Sequence, residues 1–212
     1  PSPFHRYTDY LVLTFRFDKA IEMAARAIEI DALDSSSMHA EGIAYLTAGN
    51  FPGAVEAFGE WNRFHPGSRW SYVKHALALA MNGQCDAAQS QAAKVEGMNN
   101  GKASTLMEAW LAWGYKACEN EEWFARSRER IESAQITRPD LADPGLAYLY
   151  ALDGKTEELI DTLEAVVAQG HPFTLFVKLF SNDSLVWDMP EQLAVNPRYQ
   201  ALLEKLDFPP EE

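Results

Sequence analysis

The sequence predicts an all-α protein, an α-solenoid of about five helical hairpins closed by a C-terminal helical cap. Three observations support this prediction. Apolar residues recur at helical spacing. Small and apolar residues return in register about every 34 residues. A glycine also ends the first apolar run of each clear repeat. A unit of this length repeated at a fixed period is typical of helical-repeat proteins, in which each unit buries its apolar face against the next.

The clearest repeat includes the stretch GIAYLTAGNFPGAVEAF, residues 42–58. It shows the spacing G-x2-Y, then A-x3-F, then P, at Gly42, Tyr45, Gly49, Ala54, Phe58 and Pro66. On these residues the chain resembles the tetratricopeptide-repeat family, most strongly over residues 1–102. It departs from the family at Met38 and Glu41, where Trp and Leu are usual. The resemblance implies a right-handed solenoid of tetratricopeptide-like hairpins, a non-enzymatic interaction fold without cofactors.

The same register extends to the repeats on either side. A shift of 34 residues from Tyr45 reaches Leu79 in one direction and Leu11 in the other. Small or apolar residues recur in three sets, Ala20-Ala24-Ala27, Ala54-Phe58-Trp61 and Ala88-Ala92-Val95. Small residues at such positions let neighbouring helices approach closely, which a stack of hairpins requires.

The glycines of the central repeat are predicted to be structural. Gly49-Asn50 and Gly83-Gln84 are equivalent turns, in which Gly adopts a positive φ and Asn50 caps the next helix. Pro52 lies in the first turn of that helix, where a missing N–H costs nothing. Gly42 lies inside the first helix, where a neighbouring helix packs against bare backbone. A phosphate-binding loop is the alternative, but it needs a preceding strand, and the sequence predicts none.

The later repeats are more degenerate. Residues 105–118 predict a helix with Trp110 and Trp113 on one face, and residues 121–133 predict its partner. Residues 145–170 restore a clear fifth hairpin after Pro139 and Pro144 break the chain. The predicted repeats are therefore about 1–34, 35–68, 69–102, 103–139 and 140–172, followed by a capping segment of the same domain, 173–212.

The capping segment contains an apolar run, residues 173–180, a turn at Asn182-Asp183-Ser184 and a short helix from Asn196-Pro197 to about Leu206. Its motif NPRYQALLEKLDFP, residues 196–209, resembles the end of tetratricopeptide regions in bacterial multi-domain signalling proteins. In those proteins the repeats follow a winged-helix DNA-binding domain or an adenylate cyclase. The segment has too many apolar residues for a solvated linker, so we expect it to fold back on the fifth repeat.

Composition excludes several function classes. A formal net charge of −13 disfavours direct binding to nucleic acid or to an anionic membrane surface. No apolar run reaches the roughly 18 residues of a membrane span. The chain opens with Pro1 rather than Met, so we expect a processed product or a fragment. The five histidines show no metal-ligand spacing, and no catalytic constellation stands out.

The two cysteines, Cys85 and Cys118, stand nearly one repeat apart. Neighbouring helices lie about 8–10 Å apart, whereas a disulfide needs Cα atoms within about 7 Å. We therefore expect both thiols to be free and partly buried.

A partner-binding site is predicted on the first helices of the repeats, which line the concave side of such a solenoid. The exposed stripe expected from the family register is His5, Asp9, Val12, His39, Ile43, Leu46, Trp70, Val73 and Leu77. Some family members grip a C-terminal carboxylate here with Lys, Asn and Arg, and this stripe lacks those residues. An apolar groove rimmed by His5, His39 and Trp70 suits an apolar helix or extended peptide. The chain's own tail or a second copy, as in a homodimer, is the alternative occupant.

Three function classes follow from these expectations. The first is a non-enzymatic protein-protein interaction module that forms the regulatory or sensory part of a larger bacterial signalling protein. The second is a stand-alone adaptor or assembly chaperone that binds an apolar peptide in the groove. The third is an enzyme with a site scattered over several helices, which no sequence feature supports.

Overall fold

The computed structural model describes residues 3–98, 103–138, 141–181 and 190–206 of the chain. Every regular element in these residues is a helix, which confirms the all-α prediction. The α-helices are α1 (Pro3–Leu13), α2 (Phe17–Ile30), α3 (Ser35–Thr47), α4 (Phe51–Phe64), α5 (Arg69–Met81), α6 (Cys85–Gly97), α7 (Thr105–Ala117), α8 (Glu121–Thr137), α9 (Pro144–Leu152), α10 (Thr156–Ala168), α11 (Pro190–Val195) and α12 (Pro197–Lys205). A 3-10 helix, Pro172–Ser181, follows α10.

The helices pair along the chain. The pairs α1–α2, α3–α4, α5–α6, α7–α8 and α9–α10 each pack against each other, and each falls within one of the five predicted repeat windows. The chain divides into two compact units, Pro1–Lys102 and Ala103–Glu212. Unit 1 contains the first three hairpins, and unit 2 contains the last two together with the tail helices.

One turn geometry joins the two helices of every hairpin. A residue with positive φ stands just before the second helix: Phe15, Gly49, Gly83, Glu119 and Gly154. The next residue donates its N–H to the carbonyl oxygen five residues back, at 2.8 or 2.9 Å: Arg16 to Leu11, Asn50 to Tyr45, Gln84 to Leu79, Asn120 to Tyr115 and Lys155 to Tyr150. This bond satisfies a carbonyl that the end of the first helix leaves without an intrahelical partner. Leu11, Tyr45 and Leu79 are the residues that the 34-residue register aligns.

Polar side chains start the first helices of the hairpins. Asp34, Ser68, Ser104 and Asp143 each accept a backbone N–H from the first turn of the helix that follows. Asn50 caps α4 in the same way, because its Oδ1 accepts the Gly53 N–H at 3.1 Å. The predicted cap at Asn50, the first-turn Pro52 and the positive φ at Gly49 are thus confirmed.

Gly42 permits the close approach of α3 and α4. A Cβ atom added at Gly42 would lie 2.2 Å from Cε1 of Phe58. Phe58 is completely buried and packs near Trp61, with ring centroids 6.3 Å apart, so its ring has no free space to move into. The prediction that a neighbouring helix packs on bare backbone at Gly42 is confirmed.

The tail of unit 2 packs against the last hairpin. Arg198 of α12 forms ion pairs with three carboxylates of α10, Glu157 at 2.9 Å, Asp161 at 2.5 Å and Glu164 at 2.7 Å. Tyr199 is fully buried, and its hydroxyl donates to the carbonyl oxygen of Val177 at 2.7 Å. The turn predicted at residues 182–184 and the apolar residues 185–187 and 208 lie outside the described residues.

Both cysteines are disulfide-bonded, so the prediction of free thiols is wrong. That prediction assumed equivalent places on packed helices and applied the distance between helix axes. The places differ, because Cys85 is the first residue of α6 and Cys118 follows the last residue of α7. At a helix end the backbone is not held at the interaxial distance, so the distance argument does not apply there.

A Gly42→Ala substitution tests the close approach of α3 and α4. The new methyl group overlaps the buried Phe58 ring, so the free energy of unfolding should fall by about 1–2 kcal/mol despite the better helix propensity of Ala. Gly59→Ala in α4 is the matched control, because its Cβ would meet His75 at an ordinary 3.7 Å. This control should stabilise by about 0.5–1 kcal/mol. Urea unfolding measures both, and equal effects of the two substitutions would contradict the packing described.

Candidate functional site

The apolar members of the predicted stripe belong to the core of unit 1. No more than 6% of the surface of any of them is exposed: Val12, Ile43, Leu46, Val73 and Leu77. The expectation of an exposed apolar stripe assumed that each first helix buries one face only. Instead α3 packs against α1, α2 and α4, so residues on several of its faces are covered. The groove residues that stay partly exposed are His5, Asp9, His39 and Trp70.

His5, Asp9 and His39 come together where α1 packs on α3. His5 and Asp9 are one turn apart on α1, and His5 Nε2 lies 3.4 Å from Asp9 Oδ2. The rings of His5 and His39 have centroids 6.0 Å apart. The two histidines stand 34 residues apart in sequence, so the repeat places them at equivalent points of successive first helices. Two imidazoles and a carboxylate therefore share one small region of unit 1.

Lys74 of α5 completes this cluster. Its side chain is largely buried, with 8% of the residue surface exposed, and its Nζ contacts Nε2 of His39. The Nζ atom also lies 5.7 Å from the ring centroid of Trp61 and 5.3 Å from that of Trp70, which is within the range of cation–π attraction. We refer to His5, Asp9, His39, Lys74 and the two tryptophans as the Lys74 cluster.

The contact with Lys74 defines the hydrogen-bonding state of His39. A charged lysine Nζ carries only donors, so Nε2 of His39 accepts when Lys74 is charged. An imidazole that accepts at Nε2 is neutral and carries its proton on Nδ1. Trp61 packs on the same ring, with centroids 5.4 Å apart, and its indole N–H donates to Ser35 Oγ at 2.8 Å. The His39 ring is thereby surrounded by α1, α4 and α5.

The surroundings shift the pKa values of Lys74, His39 and Asp9. Burial lowers the pKa of Lys74 to about 7, and the nearby Asp9 carboxylate opposes this shift. Burial, and then the neighbours Lys74 and His5, hold the pKa of His39 well below its usual range. Burial raises the pKa of Asp9, while His5 and Lys74 act in the opposite direction. Near neutral pH the cluster thus holds a neutral His39 imidazole and a Lys74 side chain that is only partly protonated.

Sequence reasoning missed Lys74, although two signals pointed to it. Lys74 stands one turn after Trp70 on the same helix and 35 residues after His39, one position beyond the repeat spacing. The predicted stripe is apolar around Val73 and Leu77 and does not include the lysine between them. Trp61, a core residue of α4, also lies outside the predicted site.

A cleft in unit 2 is a weaker candidate. Its volume is about 180 Å³, and its lining includes Arg138, Asp143, Gln169 and His171. Several of its polar groups already serve the fold. Asp143 Oδ1 accepts the Gly145 N–H, Gln169 Oε1 accepts the Ala142 N–H, and His171 Nδ1 accepts the Phe173 N–H. The Lys74 cluster is therefore the candidate functional site.

Comparison with protein families, curated proteins and solved structures found no match to this chain. Among the described residues, no helix is long and apolar enough to cross a membrane. In the same residues, no three His, Cys, Asp or Glu side chains stand close enough to hold a metal ion. The Lys74 cluster has two histidines and one aspartate, but the lysine occupies Nε2 of His39.

The lowered pKa of Lys74 makes stability depend on pH. Because the unfolded lysine has a pKa of about 10.4, the unfolded chain binds more protons than the folded chain between about pH 7 and that value. The free energy of unfolding should therefore rise with pH in this window, by up to about 1.4 kcal/mol per pH unit. Lys74→Met should remove this rise, whereas Lys94→Met, at an exposed lysine over Tyr72, should keep it.

Urea unfolding of the three proteins at pH 7.5, 8.5 and 9.5 measures these slopes. Parallel slopes for the wild type and Lys74→Met would show that Lys74 is not desolvated in the native state.

Proposed function

We propose that this chain is a non-enzymatic protein-protein interaction module built as a right-handed solenoid of tetratricopeptide-like hairpins. In this proposal it forms the regulatory or sensory part of a larger bacterial signalling protein. The observation that carries the proposal is the Lys74 cluster, to which the first helices of three successive hairpins contribute and whose His5, Asp9, His39 and Trp70 remain partly exposed. A binding surface made by equivalent positions of consecutive repeats is the usual design of helical-repeat proteins.

The repeat geometry supports the fold assigned in this proposal. The positive-φ turn residues Phe15, Gly49, Gly83, Glu119 and Gly154 stand 34, 34, 36 and 35 residues apart. The same N–H to C=O bond follows each of them. A regular unit of about 34 residues with two helices matches the tetratricopeptide period. Regular hairpins of one length that stack in sequence would generate a solenoid.

The partly exposed side chains of the cluster suit a protein partner. Trp70 presents a large aromatic surface, and aromatic residues are the commonest hot spots of interfaces. His5 and Asp9, which belong to the same cluster, supply hydrogen-bonding groups. Val73 and Leu77, which follow Trp70 on α5, are fully buried and anchor this helix in the core of unit 1. We infer that the partner places an apolar side chain against Trp70 and polar groups against His5 and Asp9.

The tail supports the regulatory assignment through its sequence motif. Arg198 and Tyr199, which belong to the motif that resembles the end of signalling-protein repeat regions, are the residues that attach α12 to α10 and to the 3-10 helix. This role explains why an arginine and an aromatic residue are needed there. It supports α12 as the element that closes the helical region of unit 2.

A photo-cross-linking experiment tests the proposed surface. Trp70 is replaced by a benzophenone amino acid in the full chain, produced in the cells that naturally encode it. Tyr72 is the matched control, because it is an aromatic residue on the same helix whose ring lies against Lys94. Two residues along a helix turn the side chain by about 200°, so the control probes the opposite side of α5.

We expect position 70 to yield one defined protein adduct that position 72 does not yield. Trp70→Ala should then weaken that complex by at least about tenfold, as truncation of a hot spot does, while Tyr72→Ala leaves it unchanged. Adducts that are absent from position 70, or equal at both positions, would contradict a binding surface at the Lys74 cluster.

A further inference from the structure

When Lys74 is charged, its contact with His39 is compatible with the neutral imidazole only. A charged lysine Nζ carries donors and no acceptor, so His39 Nε2 accepts. Because the pKa of Lys74 is lowered to about 7, this lysine is largely charged in the acid range below that pH. A protonated imidazole donates from both nitrogens, so Nε2–H would face the N–H groups of Lys74. Two donors cannot share a hydrogen bond. Below about pH 7, where Lys74 is largely charged, protonation of His39 therefore removes the acceptor of this hydrogen bond.

The neighbours of His39 add to this incompatibility. Lys74 from α5 and His5 from α1 face the ring, and each would repel a charged imidazole when it is itself charged. Trp61 from α4 covers the ring and supplies no charge. Asp9 from α1 is the carboxylate of this group, and it lies against His5 and acts on Lys74. A single carboxylate would then face up to three cations in a buried site, which is unfavourable.

We propose that the Lys74–His39 contact is an acid-sensitive latch, which joins α5 to α3 beside α1 and opens when His39 takes up a proton. This inference goes beyond the proposed function, because it gives unit 1 a response to pH that needs no partner. The latch spans all three hairpins of unit 1, since His5, His39 and Lys74 lie on the first helix of each. Opening it would separate the helices that present Trp70, His5 and Asp9.

The thermodynamic sign of the response follows from the low pKa of His39. The unfolded or opened chain binds a proton near pH 6.5, and the closed cluster does not. Below that pH, each further decrease of one pH unit should increase the population of the opened state relative to the closed state about tenfold, since one proton is taken up. The raised pKa values of Asp9 and of Glu41, which lies on α3 near Glu56 and Glu60, act in the opposite direction at lower pH. The window from pH 6.5 to 5.5 is therefore the most informative.

Hydrogen exchange measured by mass spectrometry on the full chain tests the latch. His39→Gln is the main variant, because a Gln Oε1 can accept from Lys74 but cannot take up a proton. His75→Gln is the matched control. His75 is another partly buried imidazole of unit 1, its pKa is lowered to about 4 by burial, and its Nδ1 lies 2.8 Å from Nδ2 of Asn62 on α4.

In the wild type and in His75→Gln, the equilibrium constant for opening of α1 and α3 should increase about tenfold between pH 6.5 and 5.5. It is obtained from the exchange rates of their amides after correction for intrinsic exchange. In His39→Gln the same amides should show no such increase. An unchanged acid response in His39→Gln, its loss in His75→Gln, or its absence from the wild type would each overturn the proposal.

Nitrogen-15 spectra of the wild-type imidazoles test the latch without any substitution, and so also if His39→Gln fails to fold. At pH 7.5 His39 should be neutral, with one protonated and one unprotonated ring nitrogen. Its conversion to the doubly protonated form should coincide in pH with the opening of α1 and α3. A His39 ring that is already doubly protonated at pH 7.5, or that becomes so without any opening, would overturn the latch.

Discussion

The turn between the two helices of each hairpin is the constraint on which the rest of this structure depends. In this turn, one residue adopts a positive φ, and the N–H of the next residue donates to the carbonyl oxygen five residues back. Together they end the first helix and set the direction in which the chain enters the second helix. Because the turn recurs at almost equal spacing, His5 and His39 of successive first helices in unit 1 come to lie side by side. Glycine meets the requirement without cost at Gly49, Gly83 and Gly154, whereas Phe15 and Glu119 adopt the same conformation against their intrinsic preference.

The Lys74 cluster follows from this regularity. His5 and His39 occupy equivalent places in the first two hairpins, and Lys74 reaches the same region from the third. Forming this cluster is energetically unfavourable, because a lysine is desolvated and an imidazole is kept neutral beside it. Replacing these groups by apolar residues of similar volume is often neutral or stabilising in buried sites. Groups with strongly shifted pKa values are concentrated at functional sites. The shifted pKa values of this cluster therefore support it as the candidate site.

Much of the fold could be predicted from the sequence, because local signals and the repeat agree. The cap at Asn50, the positive φ at Gly49 and the close approach at Gly42 each follow from the chemistry of one residue in a known register. The turn at Phe15 lies 34 residues before Gly49 and follows from the period, whereas Glu119 stands 36 residues after Gly83 and two residues beyond the place that the period gives. Neither residue favours a left-handed conformation. The tail helix α12 was predicted from Asn196-Pro197, a strong helix start.

The site was harder to predict, because it depends on how many neighbours each helix has. Helical periodicity shows which residues are apolar, but it does not show that α3 is covered by three helices, so Ile43 and Leu46 were expected to be exposed. Lys74 was overlooked since a buried lysine contradicts the usual preference of this residue for water. The disulfide state of Cys85 and Cys118 depends on the geometry of helix ends, which no interaxial distance describes.

The equivalence of the five turns is the central claim, and a glycine substitution at a turn that lacks glycine tests it most directly. Glu119 has a φ of 54° and an exposed side chain. If this turn matches those at Gly49 and Gly83, Glu119→Gly should raise the free energy of unfolding by about 1 kcal/mol, because it relieves the left-handed strain. Glu119→Ala keeps the strain and should give no such gain. A loss of stability in Glu119→Gly, as glycine causes at an ordinary negative φ, would contradict the account.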